Sequence, residues 1–220
     1  MSGQGERVLL LVGSPKGLEK SSSARLGGAV VEGLENRGWT SEAIHLHAAV
    51  RTADGQRELF EAIDRASVVL FAAPLYVDSL PAPAIRAIEA IAEHRRAERV
   101  SRIPRLVALL NCGFVEPSQN DTCQQILQRF ADRAGFQWLA GVSLGAGGQI
   151  TKRMRQAFDM LVEAIDLEIL VPDEVHRLTR KPVMPGWLYV LGGNFMWRKW
   201  AKRNGAKDRL RDRPYERAGS

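Results

Sequence analysis

The sequence predicts an α/β domain with a five-stranded parallel sheet in the order 2-1-3-4-5, helices on both faces, and a helical extension at the C-terminal end. Three observations predict it. Residues 8–12 (VLLLV), 67–73 (SVVLFAA) and 106–110 (LVALL) are short and almost wholly apolar, as expected of strands buried on both faces of a parallel sheet. The stretches between them repeat apolar residues every three to four positions, the spacing of a helix packed on a sheet. Each apolar run also stops at a loop of small and polar residues instead of a tight hairpin turn, which favours helical crossovers.

In chain order, the first strand ends at Gly13-Ser14-Pro15 and is followed by a helix with Leu26, Val30 and Leu34 on one face and Gly38 at its C-terminal cap. Residues 40–46 alternate weakly and read as a second strand. Residues 51–55 read as a polar loop, and residues 58–65 as a short helix with Leu59, Phe60 and Ile63 inward. After the third strand, Pro83 suits the start of a helix striped by Ile85, Ile88, Ile91 and Ala92. Pro104 precedes the fourth strand. Ile126, Leu127, Phe130 and Ala134 mark the next helix, which Gly135 ends. Residues 136–144 form the fifth strand, and Met154, Phe158, Leu161, Val162 and Ile165 the last amphipathic helix of the domain. Five strands suit the order 2-1-3-4-5 better than a six-stranded dinucleotide fold. Right-handed crossovers then bring the carboxyl ends of strands one, three and four to one rim, where ligands of such sheets bind.

Composition narrows the class. At 220 residues, with 45% hydrophobic and 25% charged, the chain has ordinary globular character. The N-terminal residues lack the basic-then-apolar pattern of an export signal, and the longest uncharged run of the front half, residues 66–77, contains Ser67 and Pro74 and is too short to cross a bilayer, so the expected location is cytoplasmic. Cys112 and Cys123 form no CxxC motif, and His45, His47, His94 and His176 have no metal-ligand spacing. The net charge of +6 is local. Residues 195–217 hold nine Lys/Arg against three Asp/Glu, leaving 22 of each elsewhere. A basic tail on a neutral domain argues against nucleic acid as the partner.

The three rim loops carry the functional signal. After the first strand come Ser14, Lys16, Ser21, Ser22 and Ser23 at a helix N-terminus, where free N–H groups, hydroxyls and the helix dipole suit a phosphate. The plainer reading is that the serines only cap the helix. After the third strand comes Pro74-Leu75-Tyr76-Val77-Asp78-Ser79, and after the fourth Asn111-Cys112-Gly113-Phe114.

With these motifs over residues 7–170, the chain resembles the flavodoxin-like NAD(P)H-dependent FMN reductases and NAD(P)H dehydrogenases (quinone). Gly13-Ser14-Pro15-Lys16 with Ser21 and Ser23 is similar to that family's GSPR…SxS phosphate loop. Residues 73–81 are similar to its aPxYxxsxPa loop beside the isoalloxazine ring, and residues 111–114 occupy its third flavin-facing loop. Lys16 stands where Arg is common, and Asp78 where an aromatic residue or glycine is usual. The resemblance implies a flavodoxin-like three-layer sandwich and non-covalent FMN. Ser14, Lys16, Ser21, Ser22 and Ser23 would hold the phosphate. The backbone of Pro74, Leu75, Tyr76, Val77, Asp78 and Ser79 would meet the ring edge, and Asn111, Cys112, Gly113 and Phe114 would line the far side. It also implies NAD(P)H as co-substrate, a quinone, flavin, nitro- or azo-aromatic or protein as electron acceptor, and a homodimer. No side chain need act as an acid or base, because the flavin carries the hydride chemistry.

Simpler roles stand beside these. Tyr76 can be a half-buried loop aromatic, Cys112 a small buried residue, Glu116 a solvated charge, and Gly145, Gly147 and Gly148 turn glycines. Two other functional readings remain: an FMN-binding electron-transfer module without enzymatic activity, and a flavin-less scaffold that binds partners through its tail.

The first domain is expected to span residues 1–172, and the extension residues 173–220. The extension holds Trp187, Trp197 and Trp200 among basic residues. It suits a lid or subunit contact, a helix at the surface of a membrane, or a helix covering its own domain.

Overall fold

The computed structural model describes residues 5–98 and 102–212. Its sheet has five parallel strands in the order β2-β1-β3-β4-β5. They are β1 (Arg7–Val12), β2 (Thr40–His45), β3 (Val68–Pro74), β4 (Arg105–Asn111) and β5 (Gln137–Leu144). Alternation along the strands divides the core into two layers. Leu9 and Leu11, Val69 and Phe71, and Leu106 and Ala108 face one side. Val8 and Leu10, Val68 and Leu70, and Val107 and Leu109 face the other. Strands buried on both sides leave no place for polar residues, which is why these three runs are so apolar. β2 lies at the edge and is half exposed, which explains its weak sequence signature.

Crossover helices cover both layers. α1 (Ser22–Glu35), α6 (Lys152–Asp166) and α7 (Asp173–Thr179) pack on one face. α2 (Leu46–Ala49), α3 (Ala53–Arg65), α4 (Ala82–Ala97) and α5 (Asp121–Ala134) pack on the other. α1 lies close to β1, since a Cβ on Gly27 would come within 2.3 Å of Leu10 Cδ1. At the amino-terminal edge of the sheet, buried Arg95 donates to the carbonyls of Ala134 (2.7 Å) and Arg102 (2.8 Å) and pairs with Asp64. This cluster is on the rim opposite the carboxyl ends of the strands and ties α3, α4 and α5 together.

Several boundaries differ from the sequence reading. Residues 51–55 are not a loop throughout: α3 starts at Ala53, where the Thr52 hydroxyl caps it by accepting from Gly55 N–H at 3.0 Å. The first turns of α3 are polar, so periodicity alone hides them. The second strand stops at His45, and Leu46 opens the one-turn helix α2. β3 begins at Val68 and runs through Pro74. Gly135 ends α5 in the left-handed conformation, as expected (φ 68°).

The chain divides into two units, residues 1–183 and 184–220. α7, which the sequence reading placed in the extension, contacts α6 and β5 within the first unit, with Val175 and Leu178 in its core. The second unit contains α8 (Gly186–Arg203) and a 3-10 turn at Lys207–Arg209, joined by the Ala206 N–H donating to Ala201 O at 2.8 Å. Residues 213–220 of the extension lie outside the described residues.

Candidate functional site

The loop after β1 is held from three directions. Gly13 N–H donates to Ala72 O (2.8 Å), prolonging the β1–β3 ladder. A side chain at Gly13 would press on the Cβ atoms of Ala73 and Ala84, both 3.1 Å away. His45 Nε2 lies 2.7 Å from Ser14 O, and because a carbonyl only accepts, Nε2 carries the proton. The Ser14 hydroxyl, itself buried, accepts from Lys16 N–H at 3.2 Å.

At the start of α1, Ser21 is the cap: its hydroxyl accepts from Ala24 N–H at 3.2 Å. The first amides of a helix have no intrahelical acceptor, so those of Ser22 and Ser23 are left for another partner. The Ser23 hydroxyl turns inward and donates to Asn111 Oδ1 at 2.7 Å, in a buried bond from α1 to the end of β4.

The loop after β3 is a tight hairpin. Leu75 N–H donates to Asn111 O (2.8 Å), and Tyr76 and Ser79 exchange both backbone bonds, at 2.8 and 3.1 Å. Between them Val77 (φ 49°) and Asp78 (φ 57°) are both left-handed, as in a type I′ turn. Their N–H groups have no partner among the described residues. This turn favours Asn-Gly and is costly for a β-branched residue.

The loop after β4 is laced to the loop after β5. Cys112 N–H donates to Leu144 O (3.0 Å), Gly147 N–H to Cys112 O (2.7 Å), and Ala146 N–H to Phe114 O (2.5 Å). The Cys112 thiol faces the carbonyls of Phe114 and Glu116 at 3.6 Å and of Leu144 at 3.7 Å. Burial pushes its pKa up, so it is a neutral donor and not a nucleophile. Gly145 lets the two loops meet, since a Cβ there would come within 2.4 Å of Val115 O.

The three loops close on one cavity of about 170 Å³. Ser14, Lys16, Ser22 and Ser23 line it from the first loop, Pro74, Leu75 and Tyr76 from the second, and Asn111, Cys112 and Gly113 from the third. Five expected residues do not line it. Ser21 is used as the helix cap, Val77, Asp78 and Ser79 lie further along the hairpin, and Phe114 points to an exposed position. Gly147 lines the cavity although it reads as a turn glycine in the sequence. The sequence shows only that His45 has no metal-ligand spacing; its bracing of the loop after β1 is seen in the structure. The β1–β2 register, which sets Val12 beside His45, is the signal that finds it.

Lys16 is the charged side chain of the cavity wall, and no carboxylate lines it. With two helix-end amides and the Ser22 hydroxyl beside it, the first-loop end is rich in hydrogen-bond donors, an arrangement that suits an anion. The other end is flanked by half-exposed aromatics, Tyr76 (43% exposed) and Phe114 (52%). The cavity is below the roughly 300 Å³ at which ligand pockets begin. It is too small to enclose a whole nucleotide.

Comparison with known proteins bears on the fold. The family model described as flavodoxin-like fold matches residues 6–109. No curated protein matches the chain. Among solved structures the chain is similar to an NADH:FMN oxidoreductase, at 15% identity and TM-score 0.56, covering 82% of this chain and 96% of that one. It is similar to an NAD(P)H:quinone oxidoreductase from Methanothermobacter marburgensis, at 20% identity and TM-score 0.50, covering 73% and 94%. It also matches rubredoxin oxygen:oxidoreductase from Desulfovibrio gigas, at 13% identity and TM-score 0.56, covering 76% of this chain but spanning only 37% of that protein's length. With its 2-1-3-4-5 sheet and the matched residues 6–109, the chain has a flavodoxin-like fold.

Proposed function

We propose that the protein is an FMN-dependent NAD(P)H oxidoreductase. The observation that carries the reading is the convergence of three loops on one cavity, with anion donors at one end and aromatic loops at the other. The residues fit the cofactor. Lys16, the Ser22 and Ser23 amides and the Ser22 hydroxyl would hold its phosphate. The unpaired Val77 and Asp78 N–H groups would serve the polar edge of the ring, and Tyr76 and Phe114 its apolar faces. Bound FMN would supply two-electron chemistry, taking hydride from NAD(P)H and passing electrons to an acceptor. The solved structures named for NADH:FMN and NAD(P)H:quinone oxidoreduction support this class as fold relatives. A quinone is the first acceptor to test, and a cytoplasmic homodimer is the state in which we expect the enzyme to act.

The test is the visible spectrum of the purified protein with FMN, before and after anaerobic NADPH and then NADH. The proposal expects a protein-bound flavin band that either nucleotide bleaches within the mixing time. Bound flavin that neither nucleotide bleaches would identify an electron carrier instead. Failure to bind FMN would overturn the reading altogether.

A further inference from the structure

The helix α8 belongs to the second unit of the chain, and its composition is unlike that of the other helices. Twelve consecutive residues, 186–197, carry no charge. They are followed by Arg198, Lys199, Lys202 and Arg203, and no acidic residue occurs in the helix. Five aromatic residues lie along it: Trp187, Tyr189, Phe195, Trp197 and Trp200. Several are largely exposed: Trp187 at 70%, Phe195 at 72% and Trp197 at 61%. Trp197 and Trp200, three positions apart, meet edge to face with ring centroids 5.6 Å apart.

We propose that α8 docks on the surface of an anionic phospholipid bilayer. Its aromatic side chains would enter the boundary between headgroups and acyl chains, and its basic side chains would meet the headgroup phosphates. Three features favour this occupant.

The first is charge. The surplus of +6 lies wholly between residues 195 and 217, whereas the rest of the chain is neutral. Arg198, Lys199, Lys202 and Arg203 have no ion-pair partner among the described residues. Clustered basic residues beside an apolar segment complement an anionic leaflet.

The second feature is the placement of apolar groups. At helical spacing Met196, Trp197, Trp200 and Ala201 share one side, opposite Arg198, Lys199, Lys202 and Arg203. In the first turns, residues 187–191 (WLYVL) are apolar all round the axis. A protein groove covers one side of a helix. An obliquely seated helix in lipid has its whole leading end covered, while its basic end stays at the headgroups. Tryptophan and tyrosine, apolar with a polar tip, are the residues that prefer this depth.

The third is length. The uncharged segment is about 18 Å long at 1.5 Å per residue, short of the roughly 30 Å of a hydrocarbon core. No described helix is long and apolar enough to cross a membrane. The segment therefore suits the interface and not the span.

The proposal is independent of the flavin reading, and its test uses the whole chain. Sedimentation is measured with vesicles of phosphatidylcholine alone and of phosphatidylcholine mixed with phosphatidylglycerol, at low and high salt. Binding to the mixed vesicles is expected to be at least ~10-fold tighter, to weaken with salt and to shift tryptophan emission to the blue. The variants Trp197→Ser/Trp200→Ser and Arg198→Gln/Lys199→Gln alter exposed positions. Both should lose most of the binding while keeping the urea midpoint and the FMN titration of the parent. Equal binding to both vesicle types, no binding, or binding unchanged in both variants overturns the proposal. So does a tryptophan-dependent oligomer formed without lipid, or duplex DNA bound as tightly as the mixed vesicles.

Discussion

The Ser23 hydroxyl donates to Asn111 Oδ1 at 2.7 Å across 88 residues of chain, fastening the first turn of α1 to the last residue of β4. Both groups are buried. One bond thus fixes the distance between the first and third loops of the cavity. Ser23→Ala leaves Asn111 Oδ1 without its donor, at a cost of about 1–3 kcal/mol. Urea unfolding of the apoprotein is expected to show that loss. An unchanged midpoint would mean that the bond does not hold the loops.

Ser22, one residue earlier, should behave oppositely. Its hydroxyl has no partner among the described residues, so Ser22→Ala should leave apoprotein stability within about 0.5 kcal/mol of the parent. It should weaken FMN by about 1 kcal/mol, roughly fivefold. Lys16→Gln should cost about tenfold in FMN affinity and flatten its dependence on salt, because the ammonium is the charged group of the cavity wall. Fluorescence quenching of FMN on titration reads both. A full-strength, equally salt-sensitive Lys16→Gln complex would place the phosphate elsewhere.

The parts of this architecture that were legible in the sequence are those with strong burial asymmetry. Residues 8–12, 68–74 and 106–111 are buried on both faces, and the loops that end them are where the cavity lies. Other parts depend on contacts that no local pattern carries. The polar first turns of α3 look like a loop, and Ser21 and Ser23 look alike although one caps the helix and the other crosses to β4. The requirement for glycine at position 145 comes from Val115, thirty residues earlier in the chain. The bracing by His45 needs the β1–β2 register before it can be seen.

The hairpin at Val77 and Asp78 stores strain beside the cavity. Both residues have positive φ, and the Val77 side chain is fully exposed, so replacing it sacrifices no packing. Val77→Asn with Asp78→Gly supplies the residues a type I′ turn prefers and should stabilise the apoprotein by about 1–2 kcal/mol. Thermal unfolding checks this, and a lower melting temperature would show that the turn is unstrained.

Gly145 is constrained by space instead of conformation. A methyl group there would meet the backbone oxygens of Val115 and Phe114 at 2.4 and 2.9 Å, and backbone cannot swing aside as a side-chain end can. Gly145→Ala should cost about 1–3 kcal/mol by overpacking. By displacing the 111–116 loop, it should also weaken FMN. The control is Gly113→Ala, whose Cβ meets nothing within 4 Å. It should fold with parent stability.

Cys123 ties stability to alkaline pH. It is fully buried on α5, and burial first, then the nearby Cys112 and Asp78, pushes its pKa up to about 12. In an unfolded chain a thiol titrates near pH 8.5. The folded state therefore keeps a proton that the unfolded state releases between those values. Stability from this thiol is complete below the unfolded pKa and declines as pH rises, by up to ~1.4 kcal/mol per unit. Urea midpoints measured between about pH 8 and 11 should fall along that slope in the parent. Cys123→Ala removes the titrating group. Its starting stability is lower because of the methyl-sized void, and its pH slope should be shallower. Parallel slopes in the two proteins would mean that Cys123 does not set the alkaline limit.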